Sequence, residues 1–581
     1  MLKSYNIWNS ACFRVKMILL ILGWVCFSAS NSYSQSLPFL KKGELKTQLI
    51  VDGKPFLMLA GELSNSVSGS LKHMEGGDNP LPRKTYRMLG NSLGTDSNLD
   101  MEYKGSVWQQ MVDLNVNTVL AAVSWEMIEP EEGKFDFSVV DAMIKGAREK
   151  GLRLIPLWFG TWKNGMSSYV PLWVKKDYKR FPRVKTEHEG SVEIISAFSK
   201  EALHADAKAF AALMKHIKEI DSEHQTVIMV QVENEVGILG DSRDRSEVAN
   251  KAFKSEVPKE LMDYLTSNKK TLVKELDELW KSSNYKKSGS WSEVFGTGVW
   301  TDLVFMAWQY SIYMNEVTKQ GKSEYNLPMF VNAWLEYTGM MSLPGGFPSG
   351  GPLPRVFDIW KAGAPDVDFM SPDIYGGDFV KWCDQYTMQG NPLLIPETWW
   401  NKEEYVQKLM FAIGNYNTLG VAPFGIDRVN PLETQPIRDM YQAMEYLSTD
   451  ILKYQGNKNR MTGFLLSKEQ PQVEFEMENY FVKAELYARR GEIKVEDAFG
   501  IIINTDEDQF TISGGRALIS FRPIKDSKAK AGIGPVDEYI FHDGNWIRGR
   551  RLGGDETNRG RHVFLPVEGI GIQKAIIYQY K

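Results

Sequence analysis

Two carboxylates sit where short apolar runs stop. The run at 226–232 ends in Gln231-Val-Glu-Asn-Glu235, and the run at 393–395 ends in Pro396-Glu397-Thr-Trp-Trp400. An acid at the end of a buried strand is costly unless it has a partner or a task. Two of them, delivered to one face of a barrel, could flank a glycosidic bond. There one carboxylic acid would protonate the leaving oxygen and one carboxylate would attack the anomeric carbon. Glu235 is the candidate acid/base and Glu397 the candidate nucleophile. Acid duty calls for a raised pKa at Glu235, while Glu397 has to stay ionised. This chemistry requires no cofactor. Seven histidines without a close His/Cys cluster give no zinc pattern, so no metal is expected.

The elements that would position these residues are legible as punctuation. Eight short apolar runs fall at 57–60, 118–123, 152–159, 226–232, 329–334, 369–374, 393–395 and 420–426. Each has the texture of a strand buried on both faces. Amphipathic helical patterns separate several of them, at 137–150 and 202–220 among others. Eight strands with helical crossovers predict a (β/α)₈ barrel, whose carboxyl-end face carries chemistry. A hairpin around Asp52-Gly53 would feed the first strand. A long insertion at 240–326 lies at the carboxyl end of the fourth strand, where it would shape a cleft. Beyond about residue 454 the pattern changes to short strands with Gly-Gly and Asp-Gly turns, at 473–475, 480–487, 492–495, 500–504, 509–513, 517–522, 538–542, 563–567 and 575–578. The expected organisation is a signal peptide at 1–34, a barrel at 35–455 and a C-terminal β-sandwich-like domain at 460–581.

The Asn234-Glu235 pair on the fourth strand and Glu397 on the seventh resemble the clan A glycoside hydrolases. The Gln-Val-Glu-Asn-Glu run resembles glycoside hydrolase family 35, the β-galactosidases. So does Trp125-Glu126 followed by Glu129-Pro130 and Gly133-Lys-Phe-Asp-Phe137. The resemblance covers roughly 56–428, and the tail resembles a β-rich domain appended in a bacterial branch. It implies that Asn234 binds the sugar 2-hydroxyl, that Tyr375 positions the nucleophile, and that Glu126 binds sugar hydroxyls. Trp158, Trp162 and Trp399 are candidate stacking rings for a pyranose face. Three segments depart from the family pattern. They are Gly61-Glu62-Leu63-Ser64-Asn65, Ile128 in place of a His, and Pro156-Leu-Trp-Phe-Gly160-Thr-Trp-Lys-Asn164. Sugar contacts carried by those positions do not transfer.

The N-terminus reads as an export signal. Lys3, Arg14 and Lys16 precede or begin the apolar run 17–27, and a small polar stretch follows, with cleavage expected before Gln35. The run is too short for a membrane span of about 20 residues. Cys26 raises lipidation as an alternative, although Val25 stands where a small residue is expected. Processing would leave 65 basic against 73 acidic residues, a balance of −8, with nothing to attract nucleic acid or an anionic membrane. Of Cys12, Cys26 and Cys383 only the last would remain, so no intrachain disulfide is expected. An exported chain of this size without disulfide bridges suits a bacterial periplasm or cell surface.

The resulting expectation is a retaining, exo-acting β-galactosidase that releases terminal β-galactose from plant-type oligosaccharide or polysaccharide. Another retaining clan A glycosidase or endo-glycanase is the enzyme alternative. A non-catalytic carbohydrate-binding barrel is the alternative from another class, and the presence of both glutamates argues against it.

Overall fold

In the computed structural model, the described residues are 36–75, 105–400, 402–431, 436–489, 492–526 and 528–581. The expected signal peptide, with Cys12 and Cys26, lies outside them. Eight parallel strand positions close on themselves. In order they are Met58–Glu62, Thr118–Ser124, Arg153–Lys163, Val230–Asn234, Met329–Trp334, Phe369–Ile374, the split strand Leu394–Ile395 with Glu397–Thr398, and Gly420–Val421. Pro396 divides the seventh position because it has no N–H for the ladder. Its first half pairs with the eighth strand and its second half with the sixth. Gly420 then pairs with Met58, which closes the (β/α)₈ barrel.

Side-chain alternation builds two cores. Met58, Ala60, Leu120, Ile155, Leu157, Phe330, Phe369 and Leu394 fill the barrel interior, and Leu49 and Val51 of the N-terminal hairpin pack against them. The alternate residues Leu59, Val119, Leu154 and Val331 face outward to the helices, Ser138–Glu149, Lys200–Asp221 and Val299–Glu324 among them. The same period of two carries Glu62, Asn332 and Asp373 into the lumen at the carboxyl-end mouth. The insertion after the fourth strand folds as four short helices, Glu247–Lys254, Lys259–Ser267, Lys274–Ser282 and Trp291–Phe295, before the barrel helix Val299–Glu324. Among the described residues no helix is long and apolar enough to cross a membrane. Cys383 is a buried free thiol.

The barrel's last helix is Pro436–Tyr454. A six-stranded and a four-stranded antiparallel sheet follow, with their own apolar core including Phe464, Val482, Ile502, Ile512 and Ile519. The strand Met461–Ser467 was not among the expected ones, and it runs just past the Gln455–Arg460 junction. Nor was Asn545–Leu552, whose charge masks its alternation: it pairs with Lys530–His542 through Arg548, Arg550 and Arg551 on Asp537 and Glu538. The two regions touch along the helix Glu403–Asn415. A Cβ on Gly414 would lie 2.9 Å from the Gly463 Cα, so the helix and the strand Met461–Ser467 meet backbone to backbone.

Candidate active site

The end of the fourth strand departs from regular geometry at two places. Glu233 and Glu235 both have left-handed backbones, with φ of 58° and 47°. Such conformations cost non-glycine residues of order 1–3 kcal/mol and persist where the surroundings enforce them. Regular alternation would turn Glu233 into the lumen, since Val230 and Val232 face the helices. The kink reverses this, so that Glu233 points outward and Asn234 inward.

What enforces the kink is a bulge in the third strand. Trp158 pairs with Val232 and Lys163 with Asn234, so four residues of one strand oppose a single residue of the other. The bulged amides of Thr161 and Trp162 donate to Glu233 Oε1 and Oε2 at 2.8 and 2.7 Å. Glu233 also lies against Asp206 of the helix Lys200–Asp221. Burial first, and then the Asp206 charge, hold its pKa well above the usual carboxylate range. Asp206 accepts from Trp158 Nε1 at 2.9 Å, Thr161 Oγ1 at 2.7 Å and Tyr313 OH at 3.1 Å. Gly160 has to be glycine here, because a Cβ would fall 2.4 Å from Glu233 Oε1.

The bulge delivers Lys163 and Asn164 to the lumen. Lys163 Nζ donates to Asn234 Oδ1 at 2.9 Å and lies 3.7 Å from Glu397 Oε1. With its oxygen so occupied, Asn234 turns its Nδ2 to Glu397 Oε1 at 3.1 Å. Tyr375 OH donates to Glu397 Oε2 at 2.8 Å. Glu397 therefore takes two hydrogen bonds beside an ammonium group, surroundings that favour a carboxylate. Burial opposes the charge on Lys163, but Glu397, Glu235, Glu62 and Asp373 outweigh it and raise its pKa.

Glu235 is held differently. Asn164 Nδ2 donates to Glu235 Oε2 at 2.6 Å, Asn332 Oδ1 accepts from its backbone N–H at 3.0 Å, and Gly165 N–H donates to its carbonyl at 3.0 Å. Burial, followed by the negative charge of Glu397, raises its pKa from 4.5 to about 7, against the pull of Lys163. Asp373, positioned by Asn332 Nδ2 at 2.7 Å, sits against Glu235, and burial first, then the Glu397 and Glu235 charges, raise its pKa well above the ordinary carboxylate range. One oxygen each from Glu235, Asp373 and Glu397 lie within 4.8 Å of one another. Three carboxyls at that spacing could in principle grip a cation. Lys163 already supplies a positive charge there, and the Tyr375 and Asn234 donors already occupy the Glu397 oxygens.

Asn234, Glu235, Tyr375 and Glu397 are thus brought into one cluster. Trp399 borders it, partly exposed, its ring edge-on to Tyr375 at 5.0 Å between centroids and its Nε1 on the Tyr375 carbonyl at 2.7 Å. Glu126 is exposed at the start of the short helix Trp125–Ile128, and Tyr169 lies within electrostatic reach of both Glu126 and Lys163. Trp158 and Trp162 correct the sequence reading. They are 0% and 1% exposed, with their indole N–H groups on Asp206 and the Ile195 carbonyl. The bulge turns both rings back among the helices, so neither has a face free to stack on a sugar. Sequence reasoning passed over Glu62, Lys163, Asn164, Asn332 and Asp373. For Glu62 and Asp373 the available signal was an acid in period-two register with an apolar strand.

Residues 100–305 match the family described as Beta-galactosidase, Glyco_hydro_42. A second match, over residues 437–564, is to a domain of unknown function, DUF5597. Among curated proteins, a "Beta-galactosidase" of Xanthomonas manihotis is 28% identical over 206 residues, 34% of this chain and 27% of its own length. "Beta-galactosidase 14" of Arabidopsis thaliana is 26% identical over 178 residues, 27% of this chain and 19% of its own length. The matches therefore span about a quarter or less of these relatives. Among solved structures, a β-galactosidase from Rahnella sp. R3 aligns with a TM-score of 0.41 and 15% identity, over 68% of this chain and 57% of that one. The catalytic domain of a β-amylase from Paenibacillus polymyxa aligns with a TM-score of 0.41 and 14% identity, over 56% of this chain and 89% of that one. The family and curated matches indicate a clan A glycoside hydrolase. The matched family is 42, where the strand-end motifs had resembled family 35.

Proposed function

We propose that this protein is a retaining β-glycosidase that releases a terminal β-galactose from plant-type oligosaccharide, with Glu397 as nucleophile and Glu235 as acid/base. The observation that carries this reading is the spacing of the carboxyls. Oxygens of Glu235 and Glu397 lie within 4.8 Å. Retaining pairs sit about 5–5.5 Å apart, whereas inverting pairs leave about 6.5–9.5 Å for a water. The two environments also divide the labour. Glu397 has two hydrogen-bond donors and an ammonium group beside it, which suits an anion poised to attack. Glu235 lies in a dry position with a pKa of about 7, which suits an acid still half protonated near neutrality.

The reaction follows from these states. Glu235 gives its proton to the leaving oxygen as Glu397 Oε attacks the anomeric carbon, and a glycosyl ester forms. Glu235, now a carboxylate, takes a proton from water, which attacks the same carbon and frees Glu397. Asn234 Nδ2, already turned toward Glu397, is placed to bond the 2-hydroxyl. Two displacements return the original anomeric configuration.

Galactose as the sugar rests on the matched family's description and on the family 35-like motifs of the second and fourth strands. Exo-action rests on the length of the insertion 240–326 at the carboxyl end of the fourth strand, where a long loop favours a closed cleft. The N-terminal pattern favours export to a bacterial periplasm or surface, and the β-rich domain reads as a brace for the barrel. The test is a panel of matched β-galactosides, β-glucosides, β-mannosides and α-arabinosides, with the anomer released in the first minutes followed by NMR. Preference for the galactoside with retained configuration is expected. Initial release of the opposite anomer would remove the double displacement, and a preference for another sugar would remove galactose alone.

A further inference from the structure

The candidate mouth contains one carboxyl that the two-glutamate chemistry leaves without a task. Glu62 ends the first barrel strand, in register with the interior residues Met58 and Ala60, and is 1% exposed. Both of its side-chain oxygens are buried and, among the described residues, have no hydrogen-bond partner. Its backbone is locked between neighbours: its N–H donates to the Pro423 carbonyl at 2.9 Å, and its carbonyl accepts from Gly425 N–H at 2.8 Å. The side chain faces Glu397, Lys163, Glu235 and Asp427, so it belongs to the lumen and not to the helix layer.

A buried polar group left unsatisfied costs about 1–3 kcal/mol, more when charged. Two other buried acids of this barrel do not bear that cost. Both oxygens of Glu233 accept backbone N–H groups, and both of Asp206 accept side-chain donors. Glu62 differs in having two buried acceptor atoms beside the nucleophile that no donor among the described residues reaches. A pyranose held with its anomeric carbon at Glu397 would bring its hydroxyl groups to the side of the lumen that Glu62 faces. Such hydroxyls can donate to a carboxyl and also accept from its proton if it carries one. We propose that Glu62 is a specificity-determining residue that binds hydroxyl groups of the sugar held against Glu397. The inference rests on the glycosidase reading above. It also gives the first-strand segment Gly61-Glu62-Leu63, which departs from the family 35 pattern, its own means of gripping the sugar. Burial first, and then the Glu397 charge, raise the Glu62 pKa well above the ordinary carboxylate range, which leaves it a proton to offer.

The experiment couples the residue to the hydroxyl. Wild type, Glu62→Leu and Glu62→Gln are compared by kcat/KM on the best nitrophenyl glycoside and on its 3-deoxy, 4-deoxy and 6-deoxy analogues. Sites built to hydrogen-bond a hydroxyl discriminate strongly against its absence. Glu62→Leu is expected to lose about 100-fold or more on the parent glycoside, but under about threefold on the analogue lacking the bound hydroxyl. Glu62→Gln, which keeps an acceptor and a donor, should recover part of the parent rate. Equal loss on all four substrates would overturn the proposal, because a merely structural acid has no reason to distinguish them. Should Glu62→Leu not fold, the same comparison with Glu62→Gln decides, and a uniform effect again overturns it. If the wild type cleaves no glycoside, the functional reading falls and takes this inference with it. If the wild type cleaves but shows no coupling, only this inference falls.

Discussion

Glu233 and Glu235 stand two residues apart on one strand, both buried and both left-handed, yet they are built for different purposes. On the helix side, every oxygen of the Glu233–Asp206 pair is occupied, by Thr161 and Trp162 amides, the Trp158 indole, the Thr161 hydroxyl or Tyr313. On the lumen side, Glu62 has both oxygens unpartnered and Asp373 has one. A buried carboxyl with full coordination holds chain segments in place. A buried carboxyl with vacant lone pairs is prepared for something that arrives. Burial is shared by the two groups and does not by itself separate architecture from chemistry; the side of the strand that each carboxyl faces, helix layer or lumen, does.

Substitutions can break that contrast. The largest effect is expected at Glu397→Gln, which should lose at least about 10⁴-fold in turnover because an amide cannot form the glycosyl ester. A burst assay with an activated aryl glycoside checks this, and near wild-type rates would dismiss the assignment. Glu235→Gln should cost about 10²–10⁴-fold on substrates with poor leaving groups and much less on nitrophenyl glycosides. A Brønsted series of aryl leaving groups reads the difference, which should vanish if Asp373 supplies the proton instead. On the other side of the strand, Glu233→Gln should act on folding. It replaces one acceptor by an NH₂ that faces a backbone donor, a loss of roughly 2–3 kcal/mol in denaturant unfolding. If its kcat falls as far as that of Glu235→Gln while its stability is unchanged, the contrast is wrong.

Two smaller effects depend on pH. With Glu235 at about 7, kcat/KM should fall about tenfold per unit above neutrality, with the apparent pKa belonging to the Glu235–Asp373 pair. The sign for stability follows from the same shift. Folding raises this pKa above the unfolded value near 4.5, so the native state binds the extra proton between 4.5 and about 7. Its contribution is complete below 4.5 and is lost as pH rises through about 7. Glu235→Gln does not titrate, so its melting temperature should gain on wild type at pH 8 relative to pH 5. A difference independent of pH would show that folding does not raise the pKa of this carboxyl.

Much of the barrel could be read from the chain because its signals are local. Eight short apolar runs, each stopped by polar residues, mark the strands, and Glu235 and Glu397 follow directly on two of them. Lys163 and Asn164 could not be read in that way. They reach the lumen through a bulge whose amides are held by Glu233, a residue 71 positions away from Trp162 in the chain. The same bulge buries Trp158 and Trp162, which from sequence alone are aromatic residues near a strand end and nothing more. Glu62 and Asp373 were in register with apolar strands all along, but a single acid after an apolar run carries no sign of which partners its oxygens will find. In the C-terminal region, Asn545–Leu552 escaped notice because three arginines interrupt its alternation, and the acids that neutralise them lie on the neighbouring strand.

The close approach of Gly414 and Gly463 bears on how this protein can be divided. Met461, Phe499, Ile501, Ile503 and Ile572 belong to the same apolar cluster as the barrel's Phe411 and Ile413. The helix Glu403–Asn415 follows directly on the segment that carries Glu397, so the strand carrying the proposed nucleophile leads straight into the seam. A cut at residue 460 would strip this helix of its cover and leave a barrel with a greasy scar. Transplanting the tail onto another barrel would need a matching glycine at the crossing point. The two halves are therefore expected to melt as one body, and a barrel trimmed of its tail would have to be resurfaced along that helix first.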